Sequence, residues 1–138
     1  MTSSVPDRPA TSLVIDASAL VEALVGSELG AAVRTRIRGC ELHGPAQLDA
    51  EVLSALGRLH RAGELSADAV TAALGELECA PIARHPLADL IAGAWRARDR
   101  LRLVDALYVE LSEKMRARLL TTDARLARAS ATVELVSA

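Results

Sequence analysis

Short apolar runs that end abruptly on an acid, set between longer stretches of helical periodicity, narrow what this chain can fold into. Ser12-Leu13-Val14-Ile15 is of strand length and closes on Asp16, and Leu119-Leu120-Thr121-Thr122 closes in the same way on Asp123. Runs this short, without polar alternation, suit strands buried on both faces, as in a parallel sheet. Helical stretches fill the intervals: Ala17 to Val25, Glu28 to Arg38 with Gly39 as its stop, and Ala46 to Arg61. In the last of these, Leu48, Val52, Ala55, Leu56 and Leu59 share one face.

Cys40 to His43, closed by Gly44-Pro45, reads as a second strand. Ser66 caps a helix whose stripe is Ala69, Val70, Ala73, Leu74 and Leu77, and Pro81 breaks it. Ile82 to His85 is a poorly marked third strand, which leaves the middle of the sheet open. Pro86 starts a helix carrying Leu87, Leu90, Ile91 and Ala94. Val104 to Arg116 is a helix with Val104, Leu107, Tyr108, Leu111 and Met115 on its stripe. Ala124 to Ala129 is a short helix and Thr132 to Val136 a last strand. Strands alternating with helices predict an α/β/α sandwich with a mainly parallel sheet, over residues 12–138 as a single domain behind a flexible tail of residues 1–11.

Composition removes several function classes. The chain has 138 residues, 51% of them hydrophobic, with one Trp, one Tyr and no Phe, so its core is aliphatic and offers little for base stacking. A formal net charge of −2 lacks the basic field of a general polyanion binder, so a nucleic-acid enzyme of this balance relies on local charge and metal. Cys40 and Cys79 have no metal-ligand or disulfide spacing. Residues 1–11 hold Pro6 and Pro9 without the apolar centre of a signal peptide, and no apolar run reaches the roughly 18–20 residues of a membrane span. A cytoplasmic location is the expectation.

Four acids stand out by position. Asp16 and Asp123 each follow a buried strand, where open parallel sheets bind ligands at the switch in strand order. Glu51 and Asp105 lie at the borders of apolar helical stripes, from which a half-buried carboxylate reaches into a crevice. Each also has a plain structural explanation: Asp16 and Asp123 as helix caps, Asp105 as a first-turn acid favoured by the helix dipole, Glu51 as a solvated helix acid. Asp49, Glu110 and Glu113 are read as solvated. Four carboxylates in one crevice repel unless protonated or bridged by cations, and Mg²⁺ or Mn²⁺ suits such oxygen donors. The chemistry this permits is phosphodiester hydrolysis by metal-activated water, without a covalent intermediate.

At these residues the chain resembles the PIN-domain nucleases, in particular the VapC-type toxins of bacterial toxin–antitoxin pairs. Val14-Ile15-Asp16-Ala17-Ser18 is similar to the family's first motif and Glu51-Val52-Leu53-Ser54-Ala55-Leu56 to its Glu-bearing helix. Val104-Asp105-Ala106-Leu107-Tyr108 resembles the Asp-Ala-x-Tyr helix and Leu119-Leu120-Thr121-Thr122-Asp123 the closing Thr-x-Asp strand. All four occur in order from about Ser12 to the C-terminus. The resemblance implies a PIN fold and endonucleolytic RNA cleavage at a divalent-metal site of Asp16, Glu51, Asp105 and Asp123. Ser18 and Thr121 match the supporting hydroxyls, for which local backbone capping is the competing reading. It further implies inhibition by a small DNA-binding VapB-like antitoxin, and commonly a homodimer.

Of the remaining residues, Arg125 with Arg128, the group Arg96, Arg98, Arg100 and Arg102, and the group Arg34, Arg36 and Arg38 are candidates to guide an RNA backbone, against a reading as solvated surface or antitoxin contacts. His43, His60 and His85 are expected at the surface or in turns, and Trp95 and Tyr108 in the core or an interface. A receiver or haloacid-dehalogenase reading fails on its motifs, since Ala17-Ser18 replaces the second Asp and the only Lys, Lys114, lies mid-helix. Two alternatives stay open: a non-cleaving PIN-fold module that binds RNA or protein, and a nuclease acting on structured DNA.

Overall fold

The computed structural model describes residues 10–138, so the tail expected over residues 1–11 falls outside the described residues except for Ala10 and Thr11. Strands β1 (Ser12–Ile15), β2 (Glu41–Pro45), β3 (Ile82–His85), β4 (Arg118–Thr121) and β5 (Val133–Leu135) form one sheet. Their order is β3-β2-β1-β4-β5 and every pairing is parallel. The chain begins at the centre, steps outward to β3, then crosses back to β4. Strand order therefore reverses between β1 and β4, and a crevice opens beyond their carboxyl ends.

The helices are α1 (Ala17–Val25), α2 (Glu28–Ile37), α3 (Leu48–Arg61), α4 (Ala67–Cys79), α5 (Ile91–Arg96), α6 (Leu103–Met115) and α7 (Ala124–Ala129). Right-handed crossovers put α1 to α4 on one face, because β1 to β3 step one way, and α5 to α7 on the other, because β4 and β5 step back. Helices on both faces explain why β1 needs no polar alternation: Leu13, Val14 and Ile15 are buried to 1% or less. The expected sandwich is borne out, and its sheet is parallel throughout.

Several local expectations shift for physical reasons. The weak third strand is an edge strand, not the middle: β3 pairs only with β2, and an edge needs fewer apolar residues. β2 runs through Gly44-Pro45 instead of stopping before it. Its pairing with β1 ends at His43, so the missing N–H of Pro45 costs no bond there. Ala46 donates its N–H to the His85 carbonyl at 2.8 Å, which delays α3 to Leu48. After Pro86 the chain makes a 3₁₀ turn over Leu87–Asp89 before the short α5.

The stripe on α6 is rotated from its expected place: Ala106, Tyr108, Val109, Leu111 and Ser112 are buried, while Val104 is exposed. Trp95 is 57% exposed and so is no core residue. His43 and His85 are half-buried on adjacent strands with ring nitrogens 2.9 Å apart, which corrects their reading as surface or turn residues. Among the described residues no helix is long and apolar enough to cross a membrane.

Helix α1 lines one wall of the crevice and packs backbone against backbone on α2. A Cβ on Gly30 would lie 1.9 Å from the Glu22 carbonyl oxygen, an atom of main chain that cannot rotate away. Gly75, exposed on α4, has nothing within 4 Å of its would-be Cβ. Gly30→Ala is therefore expected to lower stability in urea unfolding by about 3 kcal/mol. Gly75→Ala is expected to raise it by about 0.5–1 kcal/mol.

Candidate active site

Asp16 sits where β1 ends. Its N–H makes the last ladder bond, to the Leu120 carbonyl at 3.1 Å, and its extended backbone (φ −87°, ψ 169°) turns the chain into α1. The carboxylate is buried and fully engaged. Oδ1 accepts from the Ser18 hydroxyl at 2.7 Å and the Ala19 N–H at 2.9 Å, and Oδ2 accepts from the Thr121 hydroxyl at 2.5 Å. Asp16 is thus a helix cap, as its plain reading has it, and also faces a cleft of about 930 Å³. The two expected supporting hydroxyls meet there. Ser18 and Thr121 oxygens lie 3.3 Å apart, Ser18 accepts the Thr122 N–H, and Thr121 accepts the Asp123 N–H at 3.0 Å.

The other three acids line the same cleft from separate elements. Glu51, on α3, accepts from the Tyr108 hydroxyl at 2.6 Å. Asp105, in the first turn of α6, accepts from Arg102 Nε at 3.0 Å. Asp123 caps α7, accepting the Arg125 N–H at 2.9 Å and facing its guanidinium at 3.4 Å. Sequence order scatters these acids over more than a hundred positions, and the neighbouring of β1 and β4 with α3 and α6 at one end of the sheet brings all four together.

Their charges act on one another. Burial holds the Asp16 carboxyl above its ordinary value against its three hydrogen bonds, and the charge of Asp105 adds to the rise. Glu51 is raised in the same way, by burial first and then by Asp105 and Asp16, while the Tyr108 hydrogen bond opposes. At Asp123 burial works against ionisation, but the N–H groups of Arg125 and Leu126 and the Arg125 charge outweigh it and hold the carboxyl low. The donor set is all oxygen, which fits a hard divalent cation. Among the described residues, however, no three such side chains converge on one point as a finished ligand set. Glu51, Asp105 and Asp123 are each drawn to a protein donor instead.

Two wall residues carry no clear signal in the sequence. Tyr108 fits an apolar stripe, yet it lies one helical turn after Asp105, on the same face. Arg58 lines the cleft two turns after Glu51. Of the arginine groups, only Arg102 also lines the cleft, and Arg125 lies beside it through Asp123. Arg34 pairs with Glu76, and Arg36 with Glu134 at the opposite, amino end of the strands. Arg98 stacks over Trp95, and Arg96 and Arg100 border a separate cavity with Glu110 and Glu113. Asp49, expected to be solvated, pairs with Arg84 at 2.9 Å.

A carboxyl whose folded pKa is raised supports the fold below its unfolded pKa and loses that support as pH rises through the folded value. Asp16→Asn keeps the acceptor oxygen and removes the charge. In chelator-treated protein its thermal midpoint is expected above the parent's at pH 7, with the difference closing as pH falls to about 4.

The profile described as PIN domain matches residues 13–131. Ribonuclease VapC3 of Mycobacterium tuberculosis is 55% identical over 125 residues, spanning 90% of this chain and 91% of that protein. The crystal structure of PAE2754 from Pyrobaculum aerophilum superposes with a TM-score of 0.68 at 22% identity, over 99% of this chain and 92% of that one. A toxin–antitoxin complex from Klebsiella pneumoniae contains a chain with a TM-score of 0.65 at 15% identity, over 91% and 98%. With its crevice between β1 and β4, its family match over most of its length and a VapC relative at more than half identity, the chain belongs to the PIN-domain family, among its VapC-type members.

Proposed function

We propose that residues 12–138 act as one cytoplasmic, divalent-metal-dependent endoribonuclease, the toxin of a toxin–antitoxin pair, with Asp16, Glu51, Asp105 and Asp123 as its site. The observation that carries this reading is the gathering of four carboxylates from four elements in one cleft, two of them, Asp16 and Glu51, with pKa raised by burial and by the charge of Asp105. Such repulsion is relieved by a cation, and a ribonuclease name on a relative 55% identical supports RNA as substrate. A superposable chain found in a toxin–antitoxin complex supports a VapB-like antitoxin as partner.

The four acids would hold Mg²⁺ or Mn²⁺, which supplies Lewis acidity toward a phosphate oxygen and lowers the pKa of water. The protein's own part is positioning. Asp16 cannot swing, because three donors from α1 and β4 hold both its oxygens. Ser18 and Thr121 thus act first on Asp16. Asp105 is tied to the exposed Arg102 guanidinium, which solvent screens and which releases it at small cost, and Asp123 Oδ2 meets the exposed Arg125 guanidinium in the same way while its Oδ1 stays on the Arg125 N–H. Arg102 and Arg58 then carry positive charge on the rim of an acidic cleft, with Arg125 beside it through Asp123, where an RNA backbone needs it.

Purified chain, free of antitoxin, is expected to cut RNA with Mg²⁺ or Mn²⁺ and not with EDTA, and matched DNA to stay intact. Asp16→Asn should lose more than the roughly 10–100-fold typical of a residue that only supports a ligand. Cutting that persists in EDTA, or equally in the mutant, would sink the metal-site reading. Arg125→Glu is expected to weaken RNA binding across sequences and to flatten its dependence on salt by about one unit of slope. An unchanged affinity removes Arg125 from the substrate path.

A further inference from the structure

Tyr108 is the only tyrosine of the chain, and packing alone does not call for its hydroxyl. The ring fills the buried face of α6 at 2% exposure, a place that phenylalanine would fill as well. A buried phenol must find a partner for its O–H, and here the partner is Glu51 on the far wall, at 2.6 Å. The phenol is the donor, and its proton lies toward Glu51 Oε2. Among the described residues Glu51 Oε1 accepts no hydrogen bond.

The cleft thus holds its acids in two ways. Asp105 and Asp123 lean on arginines, whose charge competes with any cation for the same oxygens. Asp16 and Glu51 lean on neutral hydroxyls, which orient a carboxylate without cancelling its charge. Tyr108 does for Glu51 what Ser18 and Thr121 do for Asp16, from the opposite face of the sheet.

We propose that Tyr108 is a positioning residue whose hydroxyl holds Glu51 so that one oxygen is offered to a hard divalent cation, an inference that rests on the metal-site reading above. Partners of this kind, one step removed from a metal, typically change affinity or activity by about 10–100-fold.

The test uses the full chain stripped with chelator, with direct calorimetric titration of Mn²⁺ and steady-state RNA cleavage, for the parent, Tyr108→Phe and Asp16→Asn. Tyr108→Phe is expected to unfold near the parent midpoint, to bind Mn²⁺ about tenfold more weakly, and to lose kcat with KM for RNA unchanged. In a Glu51→Gln background the same substitution should change Mn²⁺ affinity no further. Parent-like Mn²⁺ affinity and kcat in a folded Tyr108→Phe protein overturn the role of Tyr108, and if Asp16→Asn meanwhile abolishes Mn²⁺ binding the metal site itself stands. A parent chain that binds no Mn²⁺ removes both readings together. Should Tyr108→Phe fail to fold, the lone tyrosine gives a second readout. A 3-fluorotyrosine-labelled chain carries one ¹⁹F resonance, expected to move on Mg²⁺ addition and to broaden with Mn²⁺. A resonance that neither ion alters overturns the proposal.

Discussion

The Asp16 carboxylate is the joint on which the rest of this molecule turns. It stands at the end of the central strand, caps α1, and takes a hydroxyl from β4, so one group ties together three pieces of backbone. That β1 and β4 are neighbours follows from the reversal of strand order, and the Thr121 bond is made across that boundary. A charge buried there is costly, and its raised pKa expresses the cost. Three hydrogen bonds offset part of it and leave the carboxylate oriented toward the cleft. The fold carries this conflict at the point where the chemistry is proposed, a common relation between stability and activity in enzymes.

Around that joint the other charges are sorted by the depth of their partners. Glu51, Asp105 and Asp123 are all half-buried, but Glu51 is tied by a neutral donor from the core, whereas Asp105 and Asp123 meet the exposed guanidinium groups of arginines close to them in the chain. Depth decides which contacts persist. An ion pair at the surface contributes little and exchanges readily with water, while a hydrogen bond from a buried phenol meets less competing water. The result is a rigid half and an adjustable half of one acidic wall. At the amino end of the strands, Arg36 and Arg118 close on Glu134, so the positive charge there is already paired within the chain.

Much of this is legible along the chain. Short apolar runs ending in acid mark β1 and β4, helical stripes mark α3 and α4, and the parallel α/β class follows from their alternation. The positions of the candidate acids relative to strands and stripes are enough to single them out. Legibility ends where local pattern and environment part company. β3 is weakly marked because an edge strand tolerates Arg84 and His85, and the true stripe of α6 departs from the apolar pattern because Val104 stands at an exposed helix start. Hydrophobicity allows Trp95 the core or an interface, and only the fold excludes the core by setting it on an exposed face of α5 under Arg98.

What the amino-acid order determined by itself was therefore periodicity and punctuation: which segments are strands or helices, where carboxylates stand relative to them, and that a cation would suit them. What only the tertiary structure decided was company. Nothing in the spacing of Glu51 and Tyr108, 57 residues apart, says that they touch, nor that Arg58 and Arg102 share a cleft while Arg36 serves the far end. Local sequence sets backbone preferences over a few residues, whereas side-chain partners are chosen by strand order and helix packing. Those depend on contacts summed over the whole chain, so the hydroxyl of one buried ring acquires its meaning only when α6 and α3, on opposite faces, meet over the carboxyl end of the sheet.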